Sequence, residues 1–207
     1  QLHFLVMKEI FIIRHAQTEF NKKGIIQGSE VDSEINDVGI SQAKLFYNVY
    51  KNHNFDKIYV SALKRTFLTV KYFLDDGVLY EKLSDFNEMS WGENQGKSDD
   101  IREYKLLTQS WINGDLDNKF IGGESPNEMS LRLKKGIEYV INENYNKILI
   151  CIHGRALRIL LSLIIDNDLT KMDKYPHSNT GLYILNYDKG KFKLIDTNNI
   201  KHLNSLK

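Results

Sequence analysis

A single cysteine, Cys151, excludes any internal disulfide from this 207-residue chain. It lies in the apolar run Ile148 to Ile152, a setting that argues against a reactive thiol. One cysteine without a disulfide framework fits a reducing, cytoplasmic compartment. Net charge is scarce as well. Lys and Arg number 28 against 27 Asp and Glu, so no overall field recruits nucleic acid or an anionic membrane. Any anion must be held by local clusters of cations. The most apolar later run, Ala156 to Ile165, is too short for a membrane span and contains Arg158, so the chain reads as soluble. Gln1 to Val6, ahead of Met7, read as an appended or upstream extension; Lys8 and Glu9 interrupt the apolar stretch a signal peptide would need. No repeat, low-complexity tract or interdomain linker divides the chain, and no G-x-G-x-x-G follows the first strand to suggest a dinucleotide fold. Carboxylates, His and Cys do not cluster at metal spacing, so neither metal nor cofactor is expected.

What is present is ordinary for one globular domain over 1–207: 42% apolar and 27% charged residues. Ile10 to Ile13 form a short apolar run that reads as a strand buried on both faces. Asn36 or Asp37 caps a helix to about Lys51, with Val38, Ala43, Phe46, Val49 and Tyr50 as its apolar positions. Ile58 to Val60 is a second strand ending at Ser61. Ser61 reads as the cap of a helix over about 63–74 that buries Leu63, Phe67, Val70 and Leu74. Val78 to Leu83 reads as a third strand. From Met89 to Glu124 the periodicity loosens, with one helix near Ile101 to Ile112, and this stretch reads as a lid-like insertion over a site. Ser125-Pro126-Asn127-Glu128 carries a capping box with Pro at the first helical position, starting a helix to about Asn142. Lys147 to Ile152 is the next buried strand and His153-Gly154 opens a helix to Ile165. Leu182 to Asn186 and Phe192 to Asp196 pair as a hairpin through Asp188-Lys189-Gly190. The alternation predicts an α/β three-layer sandwich with a mainly parallel sheet flanked by helices.

Three of the apolar strands end in polar clusters: Arg14-His15, Ser61 with Arg65 one helical turn on, and His153-Gly154. Taken alone, an Arg-His pair also fits the opening of a solvated loop. If the three strands are parallel neighbours, two imidazoles and two guanidiniums converge at one edge of the sheet. Packed cations repel and persist where an anion neutralises them. The planar fork of arginine matches phosphate oxygens, so the chemistry points to a phosphoryl site.

Arg14-His15-Ala16-x-Thr18-x-x-Asn21 resembles the Arg-His-Gly motif of the histidine phosphatase superfamily, which includes the cofactor-dependent phosphoglycerate mutases. The resemblance runs along nearly the whole chain. It takes in Gln27-Gly28, Ser61-x-Leu63-x-Arg65-x-x-x-Thr69, Asn87-Glu88 with Trp91-Gly92-Glu93, Gly123-Glu124-Ser125 and His153-Gly154, in that order. Ala16 departs from the usual Gly, and costs roughly 1 kcal/mol if the backbone there needs a positive φ.

The resemblance implies a phosphoglycerate mutase-like fold and a set of roles. His15 is the nucleophile, neutral and with one ring nitrogen free, and becomes a phosphohistidine. Arg14, Arg65 and His153 hold the equatorial oxygens. Asn21 and Gln27 add neutral donors, and Thr18, Gly28 and Gly154 complete the phosphate and substrate contacts. Glu88 protonates the leaving oxygen and then activates water, with Glu93, Asp85 and Glu124 as its competitors for that role. Arg155 and Arg158 read as structural or peripheral, and His3, His53, His177 and His202 as bystanders.

The leading functional expectation is a metal-independent phosphomonoesterase. Its substrate is a small phosphorylated metabolite, its product is phosphate, and neither nucleic acid nor membrane is a partner. A phosphoglycerate mutase is the alternative. The mutases it resembles carry more basic residues in the inserted segment, where this chain sets only Lys97, Arg102, Lys105 and Lys119 against an excess of carboxylates. A phosphate-binding module with an inactive site is a third reading, opposed by the joint presence of His15, Arg14 and Arg65.

Overall fold

The computed structural model describes residues 7–99 and 101–206, so the expectation for Gln1 to Val6, His3 included, lies outside the described residues. A six-stranded sheet forms the middle layer, in the order β3-β2-β4-β1-β5-β6. Its strands are β1 (Lys8–Arg14), β2 (Lys57–Val60), β3 (Tyr80–Lys82), β4 (Lys147–Ile152), β5 (Leu182–Asp188) and β6 (Lys191–Asn199). The first four run parallel, while β5 pairs antiparallel with β1 and β6 with β5. The helices are α1 (Glu19–Lys22), α2 (Asp37–Tyr50), α3 (Lys64–Asp75), α4 (Arg102–Ile112), α5 (Pro126–Asn142) and α6 (Gly154–Leu161).

Alternation along β1 explains the three layers. Ile10 and Ile12 point into a core shared with α4, α5 and α6, whereas Phe11 and Ile13 point into one shared with α2 and α3. A strand covered on both faces has no polar position to spare, hence the unbroken apolar runs of β1 and β4. The register then delivers the site. Ile13 and Val60 both stand level with Cys151, so the residues that follow β1, β2 and β4 emerge together at one end of the sheet. Cys151 is fully buried, and burial raises its thiol pKa.

The helix at Ser125 is built as its sequence predicts. The Ser125 hydroxyl accepts from Glu128 N, the Glu128 carboxylate accepts from Ser125 N, and Pro126 is the first helical residue. The hairpin turns on Lys189 and Gly190, both at positive φ, a two-residue turn matched to strand twist.

Four expectations need correction. In α2 the buried face is Gly39, Gln42, Ala43, Phe46 and Tyr50, while Val38 and Val49 lie exposed. Gly39 is buried because a Cβ there would meet the Gln17 carbonyl, so close backbone approach rather than side-chain volume sets that face. In α3 the cap is Leu63, and the buried residues are Arg65, Thr66, Thr69, Val70 and Phe73, with Phe67 and Leu74 only half-buried. Ser61 does not cap the helix; its hydroxyl accepts from Leu63 N and meets His153. The third strand is confined to Tyr80–Lys82. The helix after His153 changes at Ser162 into a π-helical turn ending at Asp166, where Asn167, in a left-handed conformation, donates its N–H back to the Ser162 carbonyl.

Candidate active site

His15 follows β1 by one residue, and its amide donates to the Ile152 carbonyl of β4 at 2.9 Å, extending the sheet register to the site. Its Nδ1 lies 2.8 Å from the Ala16 carbonyl. A carbonyl can only accept, so Nδ1 carries the proton and Nε2 is left with its lone pair. Burial, then the charges of Arg65 and Arg14, hold the imidazole pKa well below 6.5. The ring is neutral at pH 7, the form a nucleophile requires. Ala16 is fully buried and is not among the residues at positive φ, so the methyl group carries no conformational penalty here. Its amide donates to Thr69 Oγ1 at 2.8 Å, which ties the loop to α3.

Arg14 donates through Nη1 to the His177 carbonyl at 2.7 Å and lies 3.0 Å from His177 Nδ1. Its Nε is buried without a partner, an orphaned donor on a cation beside the nucleophile. Arg65 is fully buried and spends three of its five N–H donors on protein. Nε reaches His153 Nδ1 at 3.1 Å, Nη1 the Val31 carbonyl at 2.7 Å and Nη2 the Gly28 carbonyl at 3.1 Å. Burial draws its pKa down to about 10, so it stays a cation at neutral pH. Because Arg65 donates to Nδ1, His153 is the Nε2–H tautomer and donates to Ser61 Oγ at 2.7 Å. Burial and Arg65 push its pKa well below 6.5 as well. The rings of His15 and His153 stand 5.2 Å apart, both neutral.

The cleft at this end of the sheet has a volume of about 240 Å³ and is lined by Arg14, His15, Asn21, Gln27, Glu88 and Gly154 among the residues singled out from sequence. Arg65 and His153 do not line it. They stand behind it, fully buried: the charge of Arg65 lowers the His15 pKa, and neutral His153 bonds Ser61. Thr18 is also fully buried: it caps α1 by accepting from Asn21 N, and its hydroxyl donates to Gln27 Oε1 at 2.9 Å. The Gln27 amide in turn donates to Ser33. Asn21 Oδ1 accepts from Thr18 N and from Asn179, so its amide nitrogen is turned outward from both. Gly28 leaves no room for a side chain, since a Cβ would lie 2.4 Å from the Met89 carbonyl.

Glu88 is fixed through its carboxyl. Oε1 accepts from Met89 N at 2.9 Å and Ala156 N at 3.0 Å, and Oε2 from Arg155 N at 3.0 Å, in the first turn of α6. Its competitors are placed elsewhere: Glu124 pairs with Arg132, and neither Asp85 nor Glu93 lines the cleft.

Three lining residues carry no signal in the sequence. His177 reaches Arg14, burial and Arg14 lower its pKa to about 3, and it is no bystander to the geometry. Asn179 donates to the His15 carbonyl at 2.9 Å. Arg155 is buried, pairs with Asp173 at 2.7 Å and stands over the Trp111 ring. The first two sit on a loop more than 150 residues from β1, and no local pattern marks them. Trp91 and Tyr104 line the cleft from the segment between 89 and 124, and Trp91 also packs on Trp111 and Phe120.

Among the described residues, no group of three or more His, Cys, Asp or Glu is placed to hold a metal ion, and no helix is long and apolar enough to cross a membrane.

Known proteins resemble this chain along most of its length. The chain is 28% identical over 205 residues to a proposed phosphoserine phosphatase 2 of Hydrogenobacter thermophilus, covering 97% of this chain and 100% of that one. It is 30% identical to a broad-specificity phosphatase of Saccharomyces cerevisiae, with coverage of 94% and 86%. A crystal structure of a mutant phosphoserine phosphatase from Entamoeba histolytica in complex with phosphoserine superposes with a TM-score of 0.84 at 25% identity, covering 95% and 99%. The sequence pattern of one family, described as the histidine phosphatase superfamily (branch 1), matches residues 10–200, and the chain belongs to that superfamily.

Proposed function

We propose that the chain hydrolyses the phosphomonoester of a small hydroxyl-bearing metabolite, phosphoserine foremost, through a phosphohistidine on His15. The observation that carries this reading is the pairing of a neutral His15, its Nδ1 locked on a carbonyl and its Nε2 free, with Arg14 and Glu88 on one small cleft. Nε2 attacks phosphorus, the P–O ester bond breaks, and the departing oxygen takes a proton from Glu88. Water then attacks the phosphohistidine and gives its proton to Glu88, and the P–N bond breaks to release phosphate. Arg14 at the cleft and Arg65 behind it supply the positive charge that stabilises the transferring group. The reading is metal-independent, since that charge comes from side chains.

Cleft size supports a small substrate, for about 240 Å³ falls below the roughly 300–1,000 Å³ typical of ligand pockets. Its lining also includes Asp99, Tyr104 and Arg155 with Ile25, Ile26 and Trp91, which this reading assigns to the leaving group. A carboxylate, Asp99, and a guanidinium, Arg155 (paired with Asp173), in one lining suit a leaving group with both an ammonium and a carboxylate, as in serine. The phosphatase names of the relatives support hydrolysis over the mutase alternative.

The test is turnover of phosphoserine, 3-phosphoglycerate with and without its bisphosphate, and sugar phosphates, before and after exhaustive EDTA dialysis. Phosphate release from phosphoserine that survives chelation and falls with vanadate is expected. Interconversion of phosphoglycerates without net phosphate release would establish the mutase. Loss on chelation reversed by Mg²⁺ would refute the metal-free chemistry.

A further inference from the structure

Arg132 stands outside the cleft, in α5, and is no part of the chemistry described above. All five of its N–H donors are engaged. Nη1 donates to the carbonyls of Asp85 and Asn87, both at 2.8 Å. Nη2 donates to the Glu88 carbonyl at 3.2 Å and to Glu124 Oε2 at 2.7 Å, and Nε to Glu124 Oε1 at 2.6 Å. One guanidinium therefore gathers three carbonyls of the short turn that presents Glu88, with a carboxylate held in a two-point fork behind it.

Glu124 extends the grip to the other side of Glu88. Its amide donates to the Ser90 carbonyl at 2.9 Å, and its Oε2 accepts from Ser90 N at 3.4 Å. The main chain is thus clamped at 85, 87, 88 and 90, while the carboxyl is fixed separately by the amides of Met89, Arg155 and Ala156. A pair of charges this shielded, 23% and 18% exposed, is poor evidence of stabilisation, because desolvation offsets most of the attraction. Its value lies in where it puts the backbone. Five donors in a rigid plane fix position and orientation together; a lysine, with three donors on one flexible nitrogen, reproduces neither.

We infer that Arg132 is the positioning residue for proton transfer: clamped to Glu124, it sets where the Glu88 carboxyl stands relative to His15 and the leaving oxygen. The inference rests on the acid role proposed for Glu88. Misplacement of a reacting group by on the order of 1 Å costs about 10²-fold.

The test is the burst rate of enzyme phosphorylation for Arg132→Met and Arg132→Lys on two substrates. From phosphoserine the serine oxygen leaves as a basic alkoxide and needs the proton, whereas p-nitrophenolate leaves without it. Both variants are expected to lose about 10²-fold on phosphoserine and to keep their rate on p-nitrophenyl phosphate, with KM for phosphoserine unchanged. The double variant Glu88→Ala, Arg132→Met should be no slower on phosphoserine than Glu88→Ala alone, since the two act through one proton. Equal loss on both substrates, full activity of Arg132→Lys, or additive loss in the double variant would overturn the inference. Should the Arg132 variants fail to fold, Glu124→Gln decides in their place. It loosens the guanidinium, and an unchanged ratio of the two rates in that variant overturns the inference. If Glu88→Ala itself slows both substrates alike, the acid reading fails instead, and Arg132 loses its object with it.

Discussion

The two halves of the cleft are made in opposite ways. On the proposed phosphate side, Arg14 and His15 leave the end of a strand whose neighbours are fixed by parallel register, and the residues behind them, Arg65, His153 and Thr69, are almost wholly inaccessible and hydrogen-bonded to protein. On the proposed leaving-group side, Trp91 and Asp99 come from a stretch of short 3-10 turns and isolated bridges, Ile25 to Ser98 and Trp91 to Gly123, and Tyr104 from the first turn of α4. A scaffold of strand ends holds atoms to fractions of an ångström, as charge stabilisation requires. Irregular chain carried on that scaffold is free to vary in what it presents. The difference teaches where rate and where selectivity reside: changes on the first side should alter turnover of every phosphomonoester, and changes on the second should sort one substrate from another.

Glu88 sits at the seam and gives the largest contrast. Glu88→Ala is expected to cost about 10²–10⁴-fold on an alkyl phosphate and far less on p-nitrophenyl phosphate, read as burst rates. Equal losses would move the acid role elsewhere. Arg14→Met is expected to cost about 10²–10³-fold on both substrates alike, because it removes charge from the transferring phosphoryl group and not from the leaving group. Unequal losses would break the division between the halves.

Smaller effects belong to the leaving-group side. Asp99→Asn removes the carboxylate proposed to face the substrate ammonium, and should raise KM for phosphoserine about tenfold, the equivalent of the ~1.5 kcal/mol of a charged hydrogen bond. Turnover of p-nitrophenyl phosphate should not change. A fall in kcat on both substrates would show that Asp99 serves the phosphate side after all.

The mildest expectation concerns His202, which holds the phosphate side from the end of the chain. Its Nε2 meets Thr180 Oγ1 at 2.9 Å, and Thr180, a β-branched residue at φ 54°, sits beside Asn179 and donates its hydroxyl to the Asn179 carbonyl. Burial lowers the His202 pKa from 6.5 to about 4. The folded protein therefore binds fewer protons than the unfolded chain in that interval, so stability is whole above pH 6.5 and declines as pH falls towards 4. His15, His153 and His177 are depressed in the same sense. His202→Gln should make the decline shallower by one group's share, measured by urea unfolding at several pH values. An unchanged slope would contradict the assignment.

Much of the fold, and several of the residues that line the cleft, are legible in the amino-acid sequence, for physical reasons. Strands buried on both faces announce themselves as unbroken apolar runs, and the polar pair that ends each run is conspicuous; Arg14-His15 and His153-Gly154 stand out in that way. The capping box at Ser125 is legible because its partners lie three residues apart. The faces of α2 and α3 are not. Apolar spacing points to Val38, Val49 and Leu74, yet these helices turn Gly39, Gln42, Arg65 and Thr69 inward to hold the loops of the site. His177, Asn179 and Arg132 are illegible for a different reason: each is tied by a main-chain carbonyl, its own or its partner's, to a residue distant in sequence, and such contacts leave no trace in local pattern.

The claim on which the rest depends is covalent. Rapid-quench mixing with ³²P-labelled phosphoserine is expected to trap a phosphoenzyme that is acid-labile and base-stable, maps to His15, and is absent from His15→Ala. A phosphoenzyme mapped to another residue, or undiminished turnover by His15→Ala, would contradict it.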